Sequence, residues 1–287
     1  MKLVTYAAAR DARVGVLMDD GVHDAGFEGD MVALIEAGPA ALRAAGAAAA
    51  RNPAVPAARL LAPLRPRSMR DFMAFEGHLR GALGRLGRPI PEEWYTVPAY
   101  YRASPDTVIG PETEIRWPAF TDRLDHELEL AAIIGRPGHD IPRKEALAHV
   151  FGWTIWNDVS ARDVQVRELP LSLGPAKAKE WDGSNVLGPC LVTADEVDGT
   201  NLRLRVRVNG ELWGEDTTAN MHHTFADLIA YCSRGQTLYP GDLLGSGTLT
   251  GGSGIELDRW LRPGDLVEME ADGIGILRNR IGRKEER

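Results

Sequence analysis

Short apolar runs interrupted by polar positions dominate the chain, and most of them are typical of β-strands. Near the N-terminus, LVTYA and RVGVLM alternate in this way, and the tight turn Asp19-Asp20-Gly21 follows the second run. Later runs, separated by Gly, Pro and Asp, are IRWPAF, ELELAAIIG, FGWTIWND, CLVTADE, LRLRVRVNGELWG and DLVEMEADGIG. The pattern predicts a mainly β protein with few helices, in the α+β class.

Helical patterns are short and few. The segment MVALIEAGPAALRAAGAAAARN is rich in Ala but broken at Gly38-Pro39, which predicts two short helices. The clearest other helices are EALAHV, which follows Pro142, and TFADLIAYCSRG. In the last segment Thr224 can cap the helix start, and Gly235 can end it.

A proline-rich stretch divides the chain into two parts. PAVPAARLLAPLRP, residues 53–66, carries four prolines and predicts an extended connector. We expect residues 1–66 to form a small N-terminal α+β module that ends in this linker. Residues 67–287 then form a larger domain in which strand patterns outnumber helical ones.

Composition argues against several classes of function. The 287-residue chain is 44% hydrophobic and 26% charged, without a run of about eighteen apolar residues that would span a membrane. Its net charge of -8, with no basic cluster, argues against nucleic-acid binding. The N-terminus does not resemble a secretory signal, and Cys190 and Cys232 fit buried free thiols in a reducing compartment. We therefore expect a cytoplasmic protein.

The stretch LDHELELAAIIG, residues 124–135, carries Asp125, Glu127 and Glu129 at every second position. On a strand, Glu127 and Glu129 point to the same face, whereas on a helix they would diverge by about 200°. A hard divalent cation would relieve their repulsion, and oxygen ligands without His or Cys favour Mg²⁺, Mn²⁺ or Ca²⁺ over zinc. The alternative is a half-exposed strand whose charges point into solvent.

Three other segments add residues of related chemistry. NDVSARDVQ ends an apolar strand with Asp158, SMRDFMAFEGH places Asp71 seven residues before His78, and GDLLGSGTLTGGSGIEL carries Glu256 near its end. In type, order and local spacing these motifs resemble the fumarylacetoacetate hydrolase family over about residues 68–270. The resemblance implies a mixed β-sandwich or β-roll catalytic domain, preceded by the small N-terminal module.

The resemblance also implies roles for individual residues. The implied ligands of a divalent cation, Mg²⁺ before Ca²⁺ or Mn²⁺, are Asp71, Glu127, Glu129 and Asp158. The implied catalytic residues are the general base His78, its partner Glu256, and the oxyanion donors Lys179 and Gln165. The implied substrate contacts are Gly247, Thr248 and one of the adjacent tyrosines Tyr100 and Tyr101.

The implied reaction is hydrolysis of a carbon–carbon bond. We expect a β-diketone acid substrate, of the acylpyruvate or fumarylacetoacetate type, which chelates the metal while His78 and Glu256 activate water. The ligand is thus a small diketo or oxo acid, and nucleic acid and membrane are not expected partners. Family members are commonly homodimers, so we expect a homodimer here.

Two alternatives stay open. One is a 2-oxo acid decarboxylase, isomerase or hydratase of the same family in aromatic catabolism. Against it, His78 is followed three residues later by Gly81, where related decarboxylases and acylpyruvases tend to carry Glu. The other alternative is a non-catalytic, metal-stabilised binding protein. Met73 replaces a Tyr of fumarylacetoacetate hydrolase itself, which leaves the acyl pocket and the natural substrate open.

Overall fold

The structure is a computed structural model that describes residues 1–9, 11–85 and 87–286. In chain order, its strands are β1 (Lys2–Ala7), β2 (Ala12–Met18), β3 (Gly21–Asp24), β4 (Ser68–Phe72), β5 (Tyr100–Ala103), β6 (Val108–Ile109), β7 (Ile115–Trp117), β8 (Leu124–Asp125), β9 (Leu128–Ile134), β10 (Gly138–His139), β11 (Val150–Asp158), β12 (Ser160–Ala161), β13 (Asn185–Thr193), β14 (Arg203–Val208), β15 (Glu211–Thr217), β16 (Thr237–Leu238), β17 (Asp242–Gly245), β18 (Leu266–Ala271) and β19 (Gly275–Lys284).

The helices are fewer and shorter than the strands. The α-helices are α1 (Met31–Glu36), α2 (Gly38–Ala49), α3 (Glu76–Arg85), α4 (Arg162–Glu168), α5 (Phe225–Cys232) and α6 (Gly254–Leu257). The 3₁₀-helices are Glu92–Tyr95, Pro105–Thr107, Arg143–His149, Leu169–Leu171, Lys177–Lys179 and Thr218–Asn220. Within the described residues, no helix has the length and apolar character that crossing a membrane requires.

Two large sheets organise the fold. The first has the strand order β3-β2-β1-β13-β11-β9-β17-β4-β5, and β6 pairs in parallel with β13. The second has the order β15-β14-β18-β19-β7, and two small sheets pair β10 with β16 and β8 with β12. The prediction of a mainly β, α+β fold with few helices is confirmed.

Strand β9 lies near the middle of the first sheet and is buried along its whole length. Its side chains alternate between two hydrophobic cores, because Leu128 and Leu130 belong to one and Ala131 and Ile133 to the other. The first core includes α5 and apolar residues of the second sheet, and the other includes α1 and α2. A charged residue on β9 is therefore buried, and its charge must be compensated within the protein.

The N-terminal strands extend the first sheet, because β1 pairs antiparallel with β13. The hairpin turn between β2 and β3 and the two short helices α1 and α2 are confirmed. Thr224 caps the start of α5 as expected, in a capping box with Asp227. The segment EALAHV has its first five residues in the 3₁₀-helix Arg143–His149, and Val150 begins β11. The domain boundary near residue 66 stays a prediction.

Asp24 connects the first three strands through its carboxylate. It accepts hydrogen bonds from Tyr6 Oη on β1 at 2.5 Å, from Arg13 Nε on β2 at 2.5 Å and from the backbone N–H of Gly26 at 2.7 Å. The bond from Arg13 is the main cause that lowers the pKa of Asp24. Folding therefore favours the ionised form of this carboxyl group.

We predict that Asp24→Asn lowers the free energy of unfolding by about 1 kcal/mol at pH 7, because solvent screens part of the interaction. Since the pKa of Asp24 is lower in the folded state, this difference is complete above the unfolded value of about 3.9 and is lost gradually as the pH falls from there through the lower folded-state value. Urea unfolding from about pH 3 to pH 8 measures the effect. Asp19→Asn, an exposed control, should change stability little, and an Asp24→Asn difference as large at pH 3 as at pH 7 would contradict the prediction.

Candidate active site

Four buried carboxylates converge near the middle of the first sheet. Asp71 is on β4, Glu129 on β9 and Asp158 at the end of β11, while Glu127 directly precedes β9. One oxygen from each residue lies within 4.8 Å of the others, and all four residues are at most 5% exposed. Strand geometry accounts for the convergence of Glu127 and Glu129, which are two residues apart.

Two glycines allow the close approach of these segments. Strand β17 lies between β4 and β9, and its Gly245 pairs with Asp71. A Cβ atom on Gly245 would lie 2.8 Å from Glu129 Oε2. Gly247 has a φ of +75°, and a Cβ atom there would lie 2.1 Å from the carbonyl oxygen of Phe72. The loop after β17 can therefore press against the end of β4, beside Asp71, only with glycine at position 247.

Protein groups balance only part of the negative charge of the four carboxylates. Within the described part of the chain, Asp71 Oδ1, Asp158 Oδ1 and both carboxylate oxygens of Glu129 have no hydrogen-bond partner. Burial, followed by the nearby carboxylates, raises the pKa of Asp71 and of Glu129 well above their ordinary values. Burial also raises the pKa of Asp158 to about 6, against the opposing charge of Lys179. Buried oxygens with unused lone pairs fit a hard divalent cation.

Lys179 is part of this cluster and is 4% exposed. Its ammonium group donates to Glu127 Oε2 at 2.5 Å and to Asp158 Oδ2. Burial alone would lower the pKa of Lys179, but the charges of Asp158 and Glu127 outweigh burial and raise it. At Glu127, the charges of Lys179 and Arg162 likewise outweigh burial and lower the pKa. Lys179 thus compensates two of the predicted metal ligands, and its role as an oxyanion donor stays a prediction.

Arg162, a buried residue at the start of α4, was not predicted to belong to the site. Its Nε donates to Asp125 Oδ2 at 2.8 Å, its Nη2 to Glu127 Oε1 at 2.6 Å and its Nη1 to Gln165 Oε1 at 2.8 Å. The available signal was an arginine in the same NDVSARD segment that supplies Asp158. Arg162 connects a predicted metal ligand, Glu127, with a predicted oxyanion donor, Gln165.

Asp125 is the third acid of the LDHELEL run, and it lies outside the four-carboxylate cluster. Its carboxylate accepts from the backbone N–H groups of Gly254 at 2.8 Å and Ile255 at 3.1 Å, in addition to Arg162. These two N–H groups belong to the first turn of α6, which carries Glu256. Asp125 therefore holds both the start of α6 and the guanidinium group of Arg162.

His78 on α3 and Glu256 on α6 form a hydrogen-bonded pair. The distance between His78 Nδ1 and Glu256 Oε2 is 2.9 Å, and Glu256 also accepts from the Gly251 N–H at 2.9 Å and from Ser253 Oγ at 2.8 Å. Burial opposes ionisation of Glu256, but the hydrogen bond to His78 and these other donors outweigh it and lower the pKa. An ionised Glu256 favours a proton on Nδ1 of His78, which leaves Nε2 as the basic nitrogen.

The carboxylates and the His–Glu pair meet at one cavity of about 620 Å³. The predicted site residues that line it are Asp71, His78, Tyr100, Tyr101, Glu127, Gln165, Lys179 and Thr248. The remaining four, Glu129, Asp158, Gly247 and Glu256, are not part of the lining. These four lie against lining residues, as Glu256 does against His78 and Asp158 against Lys179.

The adjacent tyrosines Tyr100 and Tyr101 differ in their contacts. Tyr101 Oη donates to Asp158 Oδ2 at 2.8 Å, whereas the Tyr100 ring packs against Phe72 with centroids 5.1 Å apart. Burial is the main cause that raises the pKa of Tyr101 well above its ordinary value, so the hydroxyl stays protonated and can donate. Tyr101 is bound to a predicted metal ligand, and the choice of the tyrosine that contacts substrate stays a prediction.

Comparison with known proteins identifies the family of this chain. A model of the fumarylacetoacetate (FAA) hydrolase C-terminal family matches residues 68–282, most of the chain. The chain belongs to the fumarylacetoacetate hydrolase family. This membership makes it an enzyme of that family and argues against a non-catalytic binding protein.

Relatives within the fumarylacetoacetate hydrolase family carry different names. Oxaloacetate tautomerase YisK of Bacillus subtilis is 34% identical over 229 residues, which cover 78% of this chain and 73% of YisK. Human mitochondrial oxaloacetate tautomerase FAHD2A is 36% identical over 201 residues, which cover 67% of this chain and 60% of FAHD2A. The solved structure of fumarylacetoacetate hydrolase EaFAH from Exiguobacterium antarcticum is 29% identical and covers 99% of both chains, with a TM-score of 0.83.

We predict that Mg²⁺ stabilises the wild-type protein and that Glu129→Gln, which removes one negative ligand, abolishes this effect. When the free cation concentration is about 100 times its Kd, binding adds about 2.7 kcal/mol to the free energy of unfolding. Thermal unfolding with and without Mg²⁺, Mn²⁺ or Ca²⁺ measures the shift in Tm. Glu28→Gln, an exposed control, should keep the wild-type shift. A wild-type Tm that responds to none of the three ions, or an undiminished response in Glu129→Gln, would refute the metal site.

We also predict that Asp125→Asn lowers the free energy of unfolding by about 2–4 kcal/mol, because it breaks a buried ion pair and weakens the anchor of α6. The matched control is Asp182→Asn, since Asp182 pairs with Arg116 at 3.4 Å but its side chain is 85% exposed. This control should change stability little. Urea unfolding of the three proteins is the measurement, and equal stabilities of the two variants would contradict the role of Asp125.

Proposed function

We propose that this family member is a divalent-cation-dependent hydrolase that cleaves a carbon–carbon bond in a β-diketo acid. The observation that carries the proposal is the hydrogen-bonded pair of His78 and Glu256, which adjoins the same cavity as the four-carboxylate cluster. The cluster would hold Mg²⁺, with Ca²⁺ and Mn²⁺ as alternatives. A bound cation would polarise the carbonyl oxygens of the substrate and stabilise the enolate that leaves.

The protein's own groups account for the proton transfers. His78 takes a proton from water at Nε2, and Glu256 stabilises the imidazolium that forms. The hydroxide adds to the acyl carbonyl carbon, and the bond from this carbon to the neighbouring methylene carbon then breaks. The bonding electron pair stays with the methylene carbon as an enolate, which takes the proton from the His78 imidazolium to become a 2-oxo acid. The acyl part leaves as a carboxylic acid, which then ionises in water.

Lys179 and Gln165 are the proposed donors to the oxyanion that forms during addition. Gln165 Oε1 accepts from Arg162, which leaves the amide nitrogen of Gln165 to donate. Lys179 lies in the cavity lining with Gln165 and His78. Removing one such donor typically costs about 10²–10³ in kcat.

A second candidate is a tautomerase that interconverts the keto and enol forms of a 2-oxo acid. It is favoured by the two relatives named oxaloacetate tautomerases, at 34% and 36% identity. In this reaction His78 would move a proton to or from the carbon next to the 2-oxo group, and no bond between carbons would break.

Parallel assays of one purified protein with Mg²⁺ separate the two candidates. Acetylpyruvate should lose its ultraviolet absorbance and yield pyruvate and acetate if the protein is a hydrolase. Faster ketonisation of enol-oxaloacetate, without pyruvate release from acetylpyruvate, would instead support the tautomerase. Failure of both reactions with Mg²⁺, Mn²⁺ and Ca²⁺ would reject the proposed function.

We predict that His78→Asn lowers kcat by about 10²–10⁴, because it removes the general base. The metal-induced rise in Tm should persist, since His78 is not one of the four carboxylate ligands. His139→Asn, a change at an exposed histidine on β10, is the matched control and should keep wild-type kcat. Acetylpyruvate turnover and thermal unfolding of the three proteins provide both measurements, and near-normal turnover by His78→Asn would exclude His78 as the base.

We further propose a homodimer in the cytoplasm. Resemblance to the family supports the dimer, and two buried cysteines that form no disulfide support a reducing compartment. Sedimentation analysis of the purified chain tests the assembly.

A further inference from the structure

The lining of the active-site cavity divides into two chemically different groups. One group is polar and bonded to the carboxylate cluster or the His–Glu pair, as Lys179 is to Glu127. The other group is apolar and includes Leu79, Leu83, Val97, Val166, Leu169 and Ile255. These apolar side chains come from α3, from the chain before β5, from α4 and the segment after it, and from α6. They form a wall that the proposed chemistry at His78 does not use.

The apolar wall offers little to bind a second negative charge. Outside the polar group, the charged residues that the structure describes in the lining are Arg88 and Glu93. Both are exposed and they have opposite signs. Arg162 and Lys179 already pair with buried carboxylates. A substrate tail that lies along this wall is therefore favoured if it is uncharged.

The cavity is also larger than a four-carbon dicarboxylate needs. At about 620 Å³, it falls in the range of pockets that enclose drug-sized ligands. Polar anchoring at one side and an extended apolar wall elsewhere suit an elongated molecule with one acidic head group. Burial of the tail would then contribute binding energy that the head group alone does not provide.

We infer that the substrate of this site is a diketo acid with one carboxylate head and an uncharged alkyl or aryl tail that packs on the apolar wall. The inference rests on the proposed function for the identity of the head group. It selects long-chain or aromatic acylpyruvates over fumarylacetoacetate and oxaloacetate, each of which carries a second carboxylate.

Binding of unreactive 2-oxo acids tests the inference without turnover. With Mg²⁺ present, calorimetry compares straight-chain 2-oxo acids from 2-oxobutanoate to 2-oxodecanoate with 2-oxo dicarboxylates of equal length. Each methylene that the wall buries should lower Kd about threefold to fourfold, and the dicarboxylates should bind at least tenfold more weakly than the equally long monocarboxylates. Affinity that does not change with tail length, or tighter binding of the dicarboxylates, would overturn the inference.

A substitution in the apolar wall tests whether the substrate tail binds there. Ala82 on α3 lines the cavity, and Ala82→Leu should reduce the affinity ratio of 2-oxodecanoate to 2-oxobutanoate at least tenfold by filling the space of the tail. Ala47→Leu, on the exposed side of α2, adds the same side chain away from the cavity and should keep the wild-type ratio. Equal ratios in the two variants would show that the tail binds elsewhere.

Turnover separates failure of the inference from failure of the proposed function. Cleavage of acetylpyruvate, butanoylpyruvate, hexanoylpyruvate and benzoylpyruvate should show kcat/KM rising with the size of the tail. Equal kcat/KM for all four would overturn the inference while the hydrolase assignment stands. If none is cleaved but the 2-oxo acids bind according to tail length, the tail inference stands and the hydrolase assignment fails.

Discussion

The burial of four carboxylates within 4.8 Å of one another is the constraint on which the rest of the site depends. Removing even one charge from water is costly, and like charges so close together raise that cost. The fold meets part of it with Lys179, which donates to Glu127 and Asp158. Oxygens of Asp71, Glu129 and Asp158 still lack partners among the described residues. This imbalance is what a bound divalent cation would correct.

Charge compensation at the cluster also positions the hydrogen-bonded pair of His78 and Glu256. Arg162 neutralises Glu127 on one side and binds Asp125 on the other. Asp125 in turn accepts two backbone hydrogen bonds from the first turn of α6, the helix that carries Glu256. A continuous set of buried contacts thus runs from a predicted metal ligand to the partner of His78. The acids of the LDHELEL run consequently have two tasks, since Glu127 and Glu129 form the cluster and Asp125 holds the helix.

The sequence was most informative where the alternation of residue types along a short segment determines its structure. The alternation in HELEL predicts a strand with Glu127 and Glu129 on one face, and the structure has Glu129 on β9 and Glu127 directly before it. The apolar run before Asp158 predicts a strand that ends there, as β11 does. The helices that carry His78 and Glu256 are different. Helix α6 has four residues, and its start is anchored by Asp125, which is 129 positions away. Such contacts between distant segments leave no periodic signal, so α6 was not predicted.

The same gap explains why Arg162 was missed and why Lys179 has contacts that were not foreseen. Both side chains belong to short segments after β11, and their partners lie on the LDHELEL run and at the end of β11. The sequence shows that a positively charged side chain is present, but only the tertiary structure shows which carboxylate it pairs with. Family resemblance supplied the identity of Lys179 without its carboxylate partners.

The pairing of these cations bears on the choice between the two candidate reactions. A site built for a small dicarboxylate needs a free cation for each carboxylate of the substrate, in addition to any metal. In the described lining, Lys179 and Arg162 are already paired with buried acids, and the remaining cation, Arg88, is exposed, as is the oppositely charged Glu93. The described lining therefore offers more apolar surface than free positive charge. If the substrate has the single acidic head group that we propose, this distribution suits an extended acyl compound better than a compact diacid.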